Sequence, residues 1–192
     1  MAPCAESIST AYHELEACFI RGGRLYLCGN GGSAADAEHI AGELLKGFVL
    51  PRPSDRNSEH DTDPALDRLQ EGLPAIPLSG FPALRSAVAN DTNPELEYAQ
   101  LVWALARPED MVLGISCSGN AGNVLLALQA ARRRGARTLL LTGAKPGKCA
   151  PFADVSIHAP DTEVYRIQEL HLPIYHCLCL ALEAHFFGTN AE

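Results

Sequence analysis

The sequence predicts an α/β fold: a single domain on a five-stranded parallel sheet, doubly wound by helices in the flavodoxin manner, with one further helix at the N-terminus. Three observations predict it. Short apolar runs alternate with stretches of helical periodicity, which is the pattern of successive βαβ units. Two of those runs lead straight into glycine- and serine-rich loops that open helices. The length, 192 residues with 47% hydrophobic and 20% charged side chains, supplies one sizeable core.

Taken in order, residues 5–20 place Ile8, Tyr12, Leu15, Cys18 and Phe19 at helical spacing, and Gly22-Gly23 ends that helix. Its apolar stripe has no place in a minimal sheet sandwich, so it is expected to pack on another subunit, making residues 1–22 an oligomerisation element. R-L-Y-L-C (24–28) is a short apolar strand, followed by G-N-G-G-S (29–33) and helical sequence from Ala34 to about Lys46. Residues 49–73, with Pro51, Pro53, Pro64 and many Asp, Ser and Asn, read as a long surface excursion with a short helix near 64–70. A-I-P-L (75–78) is the second strand, before helical material at 81–89 and 94–106. M-V-L-G-I-S (111–116) is the third, running into S-C-S-G-N (116–120) and a helix over about 121–134. T-L-L-L-T (138–142) and V-S-I-H (155–158) complete the sheet, and the last helix spans roughly 162–187. No 20–50-residue repeat interrupts this order.

Composition narrows the partners. Fifteen basic residues against 23 acidic ones give a net charge of −8, which argues against a nucleic-acid groove or an anionic membrane as the main partner. A small anionic substrate stays open, because backbone N–H groups hold phosphate without lysine. The seven cysteines are odd in number and form no C-x-x-C pair. The first ten residues lack a signal-peptide pattern, and no uninterrupted apolar run approaches ~18 residues. Reduced thiols in a soluble cytoplasmic protein are therefore expected.

Chemistry concentrates in two places. G-N-G-G-S (29–33) and S-C-S-G-N (116–120) each join a strand's carboxyl end to a helix start, and Ser33, Ser116 and Ser118 add hydroxyl donors. Either loop alone is as well explained as a tight βα turn with a serine cap. Two at corresponding positions favour a phosphate or sugar cradle, although neither is a Walker A motif or a dinucleotide fingerprint. The second place is His39 and Glu43, spaced i and i+4 on one helical face, with Gln168 and His176 eight apart on the last helix. Imidazole, carboxylate and amide oxygen suit a divalent metal such as zinc, and the same His and Glu suit acid–base work. One by one, such pairs are ordinarily surface ion pairs.

The motifs C-G-N-G-G-S-A-A-D-A-E-H-I-A-G-E-L (28–44), A-N-D (89–91), G-I-S-C-S-G-N (114–120), L-T-G (141–143) and R-I-Q-E-L-H (166–171) occur in this order. Together they resemble the sugar isomerase (SIS) domain family, in its phosphoheptose isomerase branch, over nearly the whole chain outside 49–73. The resemblance implies an isomerase interconverting sedoheptulose 7-phosphate and D-glycero-D-manno-heptose 7-phosphate, working as a homotetramer with active sites between subunits. It implies one zinc per subunit on His39, Glu43, Gln168 and His176, with Glu43 the base moving a proton between C1 and C2 and His176 its acid–base partner. It places Asn30, Gly31, Gly32, Ser33, Ser116, Cys117, Ser118 and Ala121 around the sugar phosphate, together with Glu43, Gln168, Asn90 and Asp91. The family's second loop usually reads S-T-S-G-N-S, so Cys117 and Ala121 remove two hydroxyls. An arginine common four residues after the glutamate is here Gly47, beside Lys46. The alternative is a non-catalytic SIS protein that senses a sugar phosphate or binds a partner; such proteins tend to lose the Glu and His that this chain retains.

Spacing adds a constraint. Ten residues separate Ser33 from Glu43, ~15 Å along a helix axis at ~1.5 Å per residue. A phosphate on the first loop would stand far from Glu43 in the same chain. The expectation is that Glu43 serves a pocket whose phosphate loop belongs mainly to the second motif or to a neighbouring subunit.

Overall fold

In the computed structural model, which describes residues 2–54 and 63–188, five strands form one sheet: β1 (Leu25–Gly29), β2 (Ala75–Pro77), β3 (Met111–Ser116), β4 (Arg137–Thr142) and β5 (Val155–His158). Their order is β2-β1-β3-β4-β5, and every neighbouring pair is parallel. The expected fold class is borne out. The order reverses between β1 and β3, so the crevice where open α/β sheets bind ligands lies at the carboxyl ends of those two strands. Both glycine-serine loops emerge there.

The strand sequences explain why helices cover both faces. All five residues of β1 and all six of β3 are buried, so neither face can be left to water. Alternation sends Leu25 and Leu27 to one core, with Met111, Leu113 and Ile115, and sends Tyr26 and Cys28 to the other, with Val112. The first core is closed by α1 (Ala5–Ile20), α2 (Gly32–Leu45) and α6 (Val164–Phe187). The second is closed mainly by α4 (Glu97–Leu105) and α5 (Gly122–Arg133), with α3 (Pro82–Asp91) packed on α4.

One expectation is overturned here. The apolar stripe of α1 does not wait for another subunit: Ile8, Ala11, Leu15, Cys18 and Phe19 are buried in their own chain, against β5 and α6. The physical reason is the sheet's edge. Val155 and Ile157 of β5 face the first core and need a cover, and α1 supplies it.

The 49–73 excursion is tied down at both ends; its 55–62 portion lies outside the described residues. Pro53 bridges Gln70, and the Glu71 and Leu73 amides donate to the carbonyls of Arg52 and Leu44, each at 2.8 Å. The expected short helix is a single 3-10 turn, Leu66–Arg68. Among the described residues, α6 is one helix long and apolar enough by length and composition to cross a membrane. It packs against α1 and α2 and buries His171 and Glu183, which reads as a core helix.

Candidate active site

The first loop leaves β1 and becomes α2 within three residues. Gly31 makes this possible, with φ +54 and ψ −121 at the helix N-cap, a conformation open in practice only to glycine. Gly32 matters for a different reason: a Cβ there would stand 2.5 Å from the side-chain nitrogen of Gln168. The glycine lets α6 bring Gln168 onto the loop. The second loop leaves β3 and turns through Gly119 (φ +65), where the Asn120 side-chain NH2 donates to the Ser118 carbonyl.

The two loops are joined. Asn30 and Asn123 exchange side-chain hydrogen bonds of 2.8 and 2.9 Å, and Asn123 also donates to Glu97. Buried Ser33 places its hydroxyl 3.8 Å from the Cys117 sulfur. Burial is the main cause that raises the Cys117 pKa, which keeps it a thiol rather than a thiolate. Beside the second loop a cavity of ≈ 230 Å³ is lined by Cys117, Ser118 and Asn120, with Lys145, Asp161 and Thr162 among the residues opposite. Ser116 is buried at the end of β3, and Ala121 is the N-cap of α5 with no side chain to cap it. The loop's serine and Lys145 offer donors to a small anion there, with the Asp161 carboxylate an opposing charge in the lining.

About two to three turns further along α2 the second cluster assembles. His39 Nε2 lies 3.1 Å from a Glu43 carboxylate oxygen and 3.4 Å from Nε2 of His176. The sequence expectation that these groups come together from two helices holds for these three. Gln168 stands apart, over Gly32 at the loop end. Asn90 and Asp91 are exposed at the last turn of α3, bonded to each other at 2.8 Å. The strand preceding that helix, β2, lies one place beyond the switch point.

Sequence reasoning missed the groups that hold this cluster. The Tyr175 hydroxyl lies 3.0 Å from His39 Nδ1 and donates to Asp36 at 3.4 Å. Phe48 packs its ring 5.2 Å from that of His176. Burial raises the pKa of Asp36, against the lowering effect of the Tyr175 bond and of His39. Burial, with Asp36 next to it, also raises that of Tyr175, so the phenol stays protonated. Asp36 precedes His39 by three positions and Tyr175 adjoins His176, so helical spacing was the available signal.

Among the described residues no three His, Cys, Asp or Glu side chains already converge on one point as a finished cage; the three here form a chain, carboxylate to imidazole to imidazole. The two adjacent pairs, at 3.1 and 3.4 Å, are each near the separation of about 3.4 Å between two ligands of a tetrahedral zinc with bonds of about 2.1 Å. The outer contact fits as well, since a metal-bound imidazole ordinarily hands its other nitrogen to a hydroxyl or carboxylate, as His39 does to Tyr175 and onward to Asp36.

Comparison with known proteins agrees with this architecture. Residues 86–174 match the SIS domain model. The phosphoheptose isomerase of Solidesulfovibrio magneticus is 38% identical over 188 residues, 98% of this chain and 83% of that protein. Among solved structures, phosphoheptose isomerase GmhA from Neisseria gonorrhoeae superposes with a TM-score of 0.78 at 31% identity, covering 93% of this chain and 86% of that one. A phosphoheptose isomerase from Francisella tularensis gives 0.79 at 30% identity, covering 92% and 85%. With full-length similarity of this order, what the sequence motifs show as resemblance is membership: the chain belongs to the phosphoheptose isomerase family of SIS-domain proteins.

Proposed function

We propose that the chain is an aldose–ketose isomerase that converts sedoheptulose 7-phosphate to D-glycero-D-manno-heptose 7-phosphate, with Glu43 as the base and His176 as its acid–base partner. The observation that carries this is the meeting of His39, Glu43 and His176 from two helices that also flank the switch-point loops. The reaction moves a proton from C1 of the ketose to C2 through an enediolate, and so needs one group to take a carbon-bound proton and another to serve the oxygens. Glu43, with a side chain 16% exposed, is the carboxylate of this cluster, 3.1 Å from His39, which in turn meets His176. His176 holds the oxygen-side proton. Phe48 and Tyr175 pack against its ring, at 5.2 and 5.1 Å between centroids, and fix its orientation.

Ser33, Ser116 and Ser118 with the loop backbone, including Asn30, Gly31, Gly32 and Ala121, hold the phosphate; Cys117, Gln168, Asn90 and Asp91 complete the substrate contacts. His39, Glu43 and His176 would hold a zinc ion; Gln168, the fourth donor that the resemblance implies, lies against Gly32 at the loop end of this chain. Bound there, it supplies Lewis-acid stabilisation of the enediolate charge. Purified protein is expected to consume sedoheptulose 7-phosphate and to lose turnover on chelation. Protein prepared without chelator should carry near-stoichiometric zinc, less in His39→Ala. An inert wild-type protein points to the sugar-phosphate sensor instead.

The assembly belongs to the same reading. Helix α2 is continuous from Gly32 to Leu45, so Ser33 and Glu43 stand ~15 Å apart along its axis. A complete site is then best made with loops from a neighbouring copy. With the core-facing stripe of α1 covered in its own chain, what remains is an almost wholly apolar groove between α1 and α6, with Ala5, Tyr12, Cys177 and Ala181 on its accessible side, and it favours a homotetramer built through those helices. Light scattering should give four chains at micromolar concentration, and a monomer would remove this assembly. All seven cysteines are free thiols, in keeping with a cytoplasmic home.

A further inference from the structure

A buried ion pair outside the catalytic cluster reaches both helices that build it. Arg52 and Glu183 are each 1% exposed, and the guanidinium lies 2.9 Å from the carboxylate, with its Nε–H donating to the same oxygen at 2.9 Å. The Glu183 carboxylate also accepts the backbone N–H groups of Phe48, Val49 and Leu50, at 2.7, 2.8 and 3.0 Å. From its other side the guanidinium donates to the carbonyls of Leu44 at 2.7 Å and of Glu43 itself at 3.1 Å, and it lies 4.4 Å over the ring of Phe187.

The position of those two carbonyls gives the pair its consequence. Helix α2 ends at Leu45, with Lys46 already extended. Glu43 therefore sits in the last turn, where carbonyls lack helical partners and ends fray. The Leu44 carbonyl has a second donor in the Leu73 amide. Arg52 meets both carbonyls, and its positive charge suits the negative end of the helix dipole. Glu183 follows His176 by seven residues, two turns along α6. One ion pair thus joins the turn that carries Glu43 to the helix that carries His176.

We infer that Arg52 and Glu183 are positioning residues that fix the separation of Glu43 from His176, an assignment that rests on the proposed roles of those two groups. Arg52 is turned to the Glu183 carboxylate and the α2 carbonyls rather than to solvent. A guanidinium reaches the carboxylate and two carbonyls at once through its planar fork; an ammonium cannot. A misplacement of about 1 Å costs an enzyme up to about a hundredfold in rate without any contact to substrate being lost.

The test compares full-length wild type, Arg52→Lys, Arg52→Met and Phe187→Leu on sedoheptulose 7-phosphate, well below each melting temperature, with Glu43→Gln as the reference. The expected order of kcat is Arg, then Lys about tenfold lower, then Met about a hundredfold lower, with KM within about twofold throughout. Solvent-deuterium exchange at C1 should fall in step with kcat. Should Arg52→Met not fold, Phe187→Leu keeps the charge pair and loosens only the guanidinium; it should lower kcat about threefold at constant KM. Folded Arg52→Lys and Phe187→Leu proteins with wild-type kcat overturn the inference, whatever their melting temperatures, while an inert Glu43→Gln leaves the catalytic reading standing. Equal exchange by wild type and Glu43→Gln overturns both.

Discussion

Glu43→Gln protein is expected to fold as the wild type does and to lose turnover by about 10²–10⁴-fold, the range that one positioned acid–base group supplies. The substitution keeps the side chain's length and its ability to accept from His39, now at 3.1 Å from the carboxylate. It removes the charge and with it the capacity to take a proton from carbon. Folding should survive because Glu43 makes no buried ion pair: Lys46, its other charged neighbour, lies at 3.9 Å with its side chain 62% exposed. Unchanged circular dichroism with lost activity is the expected pair of results. Exchange of the C1 proton of the ketose into deuterated solvent is the sharper measurement, since it reports abstraction without waiting for product. His176→Gln should lose turnover while retaining part of that exchange, because a base can still take the carbon proton when the oxygen-side partner is gone. A Glu43→Gln enzyme that exchanges at the wild-type rate would mean that another group is the base.

Why the catalytic cluster and the loops were legible in the sequence, while the strap behind them was not, follows from sequence distance. The loops announce themselves because glycine, serine and the end of an apolar run are contiguous, and the sheet order then brings them together at the β1–β3 crevice. His39 and Glu43 are one helical turn apart, a spacing that fixes a shared face whatever the tertiary fold. His176, eight residues from Gln168 on the last helix, was set beside them by its residue type and spacing, and the family resemblance gave the four a common role. Arg52 and Glu183 are separated by 131 residues. No local pattern joins them, and Arg52 lies in a Pro-rich stretch that composition alone makes a surface excursion. The same stretch hides the segment that closes the end of α2. Tyr175 is the intermediate case: its place beside His176 is visible, but its reach to His39 depends on how α2 and α6 pack. For α1 the periodicity located the apolar stripe and could not say which surface it covers, and the edge strand β5 of its own chain took it.

Stability should fall as the solution is acidified from pH 6.5 towards pH 4, and His171 is the group that sets this window. Its side chain is fully buried on α6, with Nε2–H donating to the Thr142 carbonyl at 3.3 Å and Nδ1 without a partner. Burial pushes its pKa down from 6.5 to about 4, against a smaller upward pull from the Thr142 carbonyl. Above pH 6.5 the imidazole is neutral in both folded and unfolded chains and contributes no pH dependence. Between 6.5 and 4 the unfolded chain binds the proton and the folded one does not, so unfolding gains by about 1.4 kcal/mol per pH unit, reaching about 3 kcal/mol at the lower end. Below 4 both forms are protonated and the penalty levels off. That is a large share of the stability of an ordinary domain. His171→Leu removes the titration, and the Thr142 carbonyl keeps the Ala159 amide at 2.8 Å as a donor, so the variant should fold at neutral pH. Carboxylates whose pKa the fold lowers, Glu183 and Asp161 among them, lose their contribution nearer their ordinary range and do so in both proteins. The difference between the two therefore isolates the imidazole. Urea unfolding of wild type and His171→Leu at pH 7.5 and pH 4.5 is the measurement. The wild type should lose about 2–3 kcal/mol more than the variant over that interval. Parallel losses would show that the folded protein takes up the proton at an ordinary histidine pKa, and that α6 opens at this point more easily than its packing against α1 and α2 implies.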